Sequence, residues 1–206
     1  MSSRLSVLSI AVLALAAPAL AAPLPPGGTL FLAPGEPEPL GGSIVASMTL
    51  PFSTVFYTGT LTSTVIAGDV TNPYGGLTFI YTLHNDDTSA HALARLTVNG
   101  YAGFQTDASY SSISPGIIPL FIDRQINGDS IGFSFSNALQ HTLISPGGNS
   151  TVLIVQTNAP AFVRNVASVI DGAVTQVDTF APAVPTPGAT ALAGLGLLAA
   201  TRRRRA

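Results

Sequence analysis

The sequence predicts an all-β domain, an antiparallel β-sandwich of jelly-roll-like type, and three observations predict it. Apolar residues alternate with polar ones at a period of two, as at Leu77/Phe79/Tyr81 against Thr78/Ile80/Thr82. Turn-forming pairs recur between such runs, as at Asn127-Gly128 and Asp171-Gly172. No stretch of the central chain sustains the period of 3.6 that marks an amphipathic helix.

The elements follow in order. Residues 1–21 read as a signal peptide. Arg4 gives a positive start, Leu5 to Ala17 is mostly apolar, and Ala19-Leu20-Ala21 has the small-x-small pattern that signal peptidase accepts. The expected cut falls after Ala21, since a cut after Ala22 would leave Pro23 at the N-terminus. Residues 22–42 hold six prolines and five glycines between Pro23 and Gly42, which predicts an extended, largely unpacked arm. Leu30-Phe31-Leu32 within it could add an edge strand.

The sandwich is expected over residues 43–181, with about eight to ten strands at this turn spacing. Ala94/Leu96/Val98 and Ile131/Phe133/Phe135 repeat the alternation, with Arg95, Thr97, Gly132, Ser134 and Ser136 on the outer, exposed side. Thr151 to Thr157 is nearly continuous in β-formers, as suits a strand covered on both faces. Ser89 to Leu96 is the one segment with a helical alternative. Asn99-Gly100, Asn127-Gly128 and Asp171-Gly172 each suit the positive φ of a tight hairpin turn. Gly75-Gly76 and Gly147-Gly148 mark further reversals.

Composition narrows the function. Of 206 residues only 9% are charged, and there is no cysteine. Thiol nucleophiles, disulfides and cysteine-based metal centres are thereby excluded. Arg4 and Arg202 to Arg205 lie in the two ends, so residues 22–183 hold three arginines against ten carboxylates, a net charge of −7. An acidic domain without lysine is a poor partner for nucleic acid, whose phosphates call for a basic surface.

Candidate sites are sparse. His84, Asp86, Asp87 and His91 could hold a divalent metal, or shape an Asn-Asp-Asp turn by capping its backbone. Tyr74 and Tyr101 stand near turns and could stack on sugar rings, or could be half-buried structural tyrosines. Asp107, Asp123 and Asp129 are available as acids, but no spacing favours a catalytic pair. No Gly-x-Ser-x-Gly elbow exists to present a nucleophilic serine. No cofactor motif is present, and the expectation is a non-enzymatic protein.

The last segment, residues 182–206, is a sorting tail by its sequence. Val184-Pro185-Thr186-Pro187 is followed by a short apolar run, Gly188 to Thr201, and then by Arg202, Arg203, Arg204 and Arg205. As a helix the apolar run would span about 21 Å, against a hydrocarbon core of about 30 Å. That suits a transient membrane stop with the arginines on the cytoplasmic side. An ordinary single-span anchor is the alternative.

This three-part layout resembles the PEP-CTERM sorting signal of Gram-negative-type bacteria, with Thr186 where the family has glutamate. Segments such as Gly59-Thr60-Leu61-Thr62-Ser63, Gly76 to Tyr81, Leu153 to Asn158 and Ser168 to Gly172 are also similar to those of exported PEP-CTERM proteins. The resemblance implies export through the Sec machinery, removal of the leader by signal peptidase, and processing by exosortase, a membrane-embedded protease and transpeptidase. It further implies a surface or extracellular-matrix role, with exopolysaccharide as a partner. A carbohydrate-binding module of the same fold is the first alternative, and a secreted hydrolase the second.

Overall fold

The structure is a computed structural model, and it describes residues 22–183 apart from Leu32, Pro34, Glu38 and Ala138. The expected signal peptide, Val184-Pro185-Thr186-Pro187 and the arginine cluster lie outside the described residues. Among the described residues there is no helix, and Ser89 to Leu96 is a turn leading into a strand.

The strands are β1 (Thr29–Phe31), β2 (Gly35–Glu36), β3 (Ser43–Ser53), β4 (Thr58–Ala67), β5 (Thr78–Asn85) and β6 (Arg95–Val98). They continue with β7 (Thr106–Ser111), β8 (Phe121–Arg124), β9 (Ile131–Ser134), β10 (Leu153–Thr157), β11 (Ala161–Asp171) and β12 (Ala173–Ala183). They form two six-stranded sheets, ordered β1-β8-β9-β6-β11-β12 and β2-β7-β10-β5-β4-β3. Named strands pair antiparallel except β2 with β7, which run parallel. The architecture is a β-sandwich.

Alternation sorts each strand between core and outer face. In β4, Gly59, Leu61, Ser63 and Val65 are buried, while Thr58, Thr60, Thr62 and Thr64 look outward. The outward threonines suit the pleat because branching at Cβ favours extended backbone, and they pair across strands. Thr62 meets Thr49 at 2.8 Å and Thr64 meets Ser47 at 2.9 Å, hydroxyl to hydroxyl. Leu61, Val65, Phe79, Tyr81, Leu96, Phe133 and Val169 fill the space between the sheets. Covering such side chains contributes about 1.5–3 kcal/mol each. With no disulfide available, this core carries the stability.

β10 is buried along its whole length between β7 and β5, as its unbroken run of β-formers predicts. Asn127-Gly128 closes the β8–β9 hairpin with Gly128 at φ 74°, and Asp171-Gly172 closes the β11–β12 hairpin. Asn99-Gly100 is different. It follows β6, but the next strand, β7, belongs to the other sheet, so the turn is a crossover and no hairpin. Side-chain bonds hold it: Ser130 Oγ donates to Asn99 Oδ1 at 2.7 Å, and Gly100 N donates to Asp129 Oδ1 at 3.2 Å.

The arm at residues 22–42 is anchored more than expected: it supplies the edge strands β1 and β2, one to each sheet, and buries Leu24 and Ala33, while most of its described residues stay exposed. One further expectation fails because the outer face is covered. Ser134 points away from the core but is only 3% exposed. Arg95 lies flat over the β9 backbone, where Gly132 leaves room for its guanidinium, and it bonds Ser134 and Asp123.

Polar groups also bridge the sheets. The Tyr57 hydroxyl reaches Val169 O and Ala173 O, both at 2.9 Å. Tyr81 Oη donates to Phe180 O at 2.8 Å. Thr179 Oγ1 donates to Ser63 Oγ at 3.0 Å, and Phe180 N donates to the same oxygen at 3.2 Å. These bonds tie β12 of one sheet to β4 and β5 of the other.

Candidate functional site

The His/Asp cluster does not converge. β5 ends at Asn85, and Asp86 and Asp87 turn the chain, with Ser89 N donating to Asp86 O at 3.1 Å. His84 Nδ1 lies 2.9 Å from Asn149 Oδ1, and its Nε2 lies 3.6 Å from Asp86 Oδ1. Together with Asp87, Thr88 and Gly147 they edge a hollow of about 490 Å³. His91 sits elsewhere: it stacks on Phe56 at 4.7 Å between centroids, and its Nδ1 lies 3.4 Å from Asp171. Among the described residues no three His, Asp or Glu side chains come together as a metal-binding group. The turn is shaped instead by Asn85, whose amide donates to His91 O and Ile144 O.

Tyr101 is fully buried, so it cannot present a ring to a sugar. It follows the crossover turn at Asn99-Gly100 and is directed into the core, where its hydroxyl meets that of Tyr81 at 2.6 Å. Burial pushes both phenols far above their ordinary range, so neither is an acid or base near neutrality.

Tyr74 does reach the surface. Its loop is set by Asn72, which accepts from Tyr74 N at 2.9 Å and donates to Gly76 O and Thr157 O, both at 3.0 Å. Tyr74 then forms one wall of a groove of about 290 Å³ with Phe104, Gln105 and the prolines Pro23, Pro25 and Pro26. Its floor includes Arg124, buried at 3% exposure.

Arg124 faces no carboxylate, yet every N–H is used. Nε donates to Gly128 O at 2.9 Å. Nη1 donates to Leu24 O at 3.0 Å and Thr106 Oγ1 at 2.8 Å, and Nη2 to Tyr101 O at 2.7 Å and Phe104 O at 3.0 Å. One guanidinium therefore fixes both walls of the groove and the β8–β9 turn beneath it. Burial pulls its pKa down from the ordinary value.

The carboxylates divide by environment. Asp123 is held by Arg95. Asp69 accepts from Leu40 N, Thr71 N, Thr71 Oγ1, Thr78 Oγ1 and Gln156 Nε2, and these bonds outweigh burial and hold its pKa low. Asp107 and Glu36 are the opposite case. Both are buried on the outer side of β7, and burial, then mutual repulsion at Asp107, raises them, Asp107 to about 7. Sequence reasoning put Asp107 among the available acids and passed over Arg124 and Glu36. The signal for Arg124 was its scarcity, one of three arginines in residues 22–183.

Comparison with protein-family models, curated proteins and solved structures finds no match to this chain in any of the three.

Proposed function

We propose that the protein is an exported, non-enzymatic component of a bacterial cell surface or extracellular matrix. The Sec machinery delivers it, signal peptidase cuts after Ala21, and an exosortase-type membrane protease processes it at Val184-Pro185-Thr186-Pro187. The apolar run and Arg202 to Arg205 hold it at the membrane until that step. Within it, the two sheets form a jelly-roll-like sandwich that is the exported cargo. The observation that carries the reading is the three-part layout of the sequence after residue 183: Val184-Pro185-Thr186-Pro187, the apolar run Gly188 to Thr201, and Arg202 to Arg205. The acidic balance of residues 22–183 and the absence of cysteine agree with a self-sufficient exported domain.

Mass spectrometry of protein recovered from the producing cell tests this. The expected mature chain starts at Ala22 and lacks Arg202 to Arg205. Extracellular protein that keeps the arginines would overturn processing and leave a simple anchor.

The groove at Tyr74 favours a second reading, a carbohydrate-binding sandwich with exopolysaccharide as ligand. A tyrosine and a phenylalanine beside Gln105 offer the stacking surface and hydrogen-bonding amide that a sugar ring uses. On a glycan array this reading expects binding that Tyr74→Ala abolishes while the fold is kept. Binding that survives Tyr74→Ala would exclude the groove.

A further inference from the structure

Ala22 to Leu24 runs beside β7 as a short antiparallel partner. Pro23 stands opposite Asp107, Leu24 N donates to Thr106 O at 2.9 Å, and Ala108 N donates to Ala22 O at 3.4 Å. Ala22 is 7% exposed and Asp107 is 1% exposed. Neither carboxylate oxygen of Asp107 has a hydrogen-bond partner, and the Ala22 N–H is turned toward that carboxylate without completing a bond.

The surroundings supply no relief. On β2, Glu36 adds a second carboxylate whose Oε1 is also unpartnered, its Oε2 accepting from Ser109 Oγ at 3.0 Å. On β10, Gln156 is paired with Asp107 in register, but its amide is engaged by Asp69 and Thr71. Arg124 on β8 has all five N–H groups engaged elsewhere, and among the described residues the Tyr74 phenol is a further titratable group near Asp107. A buried carboxylate without donor or counter-charge is strongly unfavourable. What the seat lacks is one cation with several N–H donors, at the position of the Ala22 nitrogen.

We propose that Asp107 is the seat for the α-ammonium of Ala22 in the mature protein. The proposal rests on the cut after Ala21 in the export reading above. In that hydrolysis the Ala21–Ala22 C–N bond breaks: the water oxygen joins the Ala21 carbonyl carbon, which leaves as a carboxylate, and the Ala22 nitrogen takes both water protons. One amide N–H becomes an ammonium with three N–H donors and a full positive charge. It lands against Asp107 and Glu36, and the removal of the leader thereby completes the β7 edge. In the precursor an amide stands where the ammonium would be, so removal of the leader adds stability to a fold that is already formed.

The chain contains no lysine, so the α-amine would be its only primary amine. Acylation of the exported protein with an amine-directed N-hydroxysuccinimide ester therefore reads this group alone. At pH 8 the wild type should react about fivefold slower than Asp107→Asn, as a one-unit rise of the amine pKa from about 8 requires. The wild-type rate should also have its pH midpoint above the ordinary α-amino range of about 7.7–8.0. Equal rates in the two proteins, with the N-terminus mapped to Ala22, would overturn the ion pair and leave export standing. A mapped N-terminus elsewhere would overturn both. Should Asp107→Asn fail to fold, the wild-type midpoint decides, and a value at or below 8 overturns the pair.

Discussion

Replacing Arg124 by lysine keeps the positive charge and removes the fork, and so isolates what the guanidinium geometry contributes. Arginine satisfies five acceptors here: the carbonyls of Leu24, Tyr101, Phe104 and Gly128, and Thr106 Oγ1. A lysine ammonium has three donors on one atom, so at least two acceptors lose their partner. Leu24 O keeps a bond from Thr106 Oγ1, and Tyr101 O keeps one from Phe104 N, so Phe104 O and Gly128 O are the carbonyls most exposed to the loss. Hydrogen bonds to a charged group contribute about 1.5–3 kcal/mol each, so two lost bonds cost about 3–6 kcal/mol. Against a total of about 5–15 kcal/mol this is a large fraction. In urea, with a slope of about 2 kcal/mol per molar, the midpoint should fall by about 1.5–3 M. Arg164→Lys on the exposed part of β11 is the control and should leave the midpoint in place. A fall below about 0.5 M for Arg124→Lys would refute the claim that one side chain organises the groove.

Other substitutions read the same structure. Phe133→Ala should cost about 3–5 kcal/mol because the ring is fully buried between the sheets. Ser134→Thr should cost about 1–3 kcal/mol by crowding Arg95, and a silent result in urea would mean that Arg95 leaves this position free. Chelator, calcium or zinc should not move the melting temperature. A site at a hundredfold excess over its Kd would add about 2.7 kcal/mol, or about 5–11 °C, and such a shift would restore a metal role to His84 and Asp86. The pH dependence follows from Asp107, raised from 3.8 to about 7 in the fold. Between those values the folded chain holds a proton that the unfolded chain releases, so the stability that Asp107 contributes is fully present below about pH 4 and is lost as pH rises through about 7. In a chain with a peptide bond before Ala22 this loss should be about 2–4 kcal/mol and clearly smaller in Asp107→Asn, where only Glu36 remains raised, with urea midpoints across that range as the measure.

Much of the fold was legible because the core follows a local rule. Phe79, Tyr81 and Phe133 announce their strands by alternation, and Gly128 and Gly172 announce their hairpins. What the sequence hid depends on partners remote in the chain. Asn99-Gly100 has the chemistry of a hairpin turn, yet the following strand joins the opposite sheet, and no local signal reports that choice. The proline-rich arm looked unpacked because proline and glycine usually mark linkers; here they shape short edge strands whose burial comes from β7 and β8. Ser134 is polar and faces away from the core, so it reads as solvated; it is buried because Arg95 covers it. Tyr101 was misplaced for a related reason, since proximity to a turn says nothing of where a ring points. The candidate site was therefore half visible: Tyr74 in the sequence, its groove only in the fold.

The bonds between β12 and the opposite sheet have a mechanical consequence. Ala183 pairs with Ala161 at the open end of the β11–β12 hairpin, so tension applied to the chain beyond Ala183 would peel β12 rung by rung. Peeling of this kind needs little force while it passes Pro182 and Ala181. At Phe180 and Thr179 it meets a latch, because the Phe180 amide and carbonyl are held by Ser63 and Tyr81 and its ring packs edge-on against Phe162 at 5.4 Å. A domain hung from its C-terminal end would stretch by a few residues and then hold, its extension limited by one serine and one tyrosine on the other sheet.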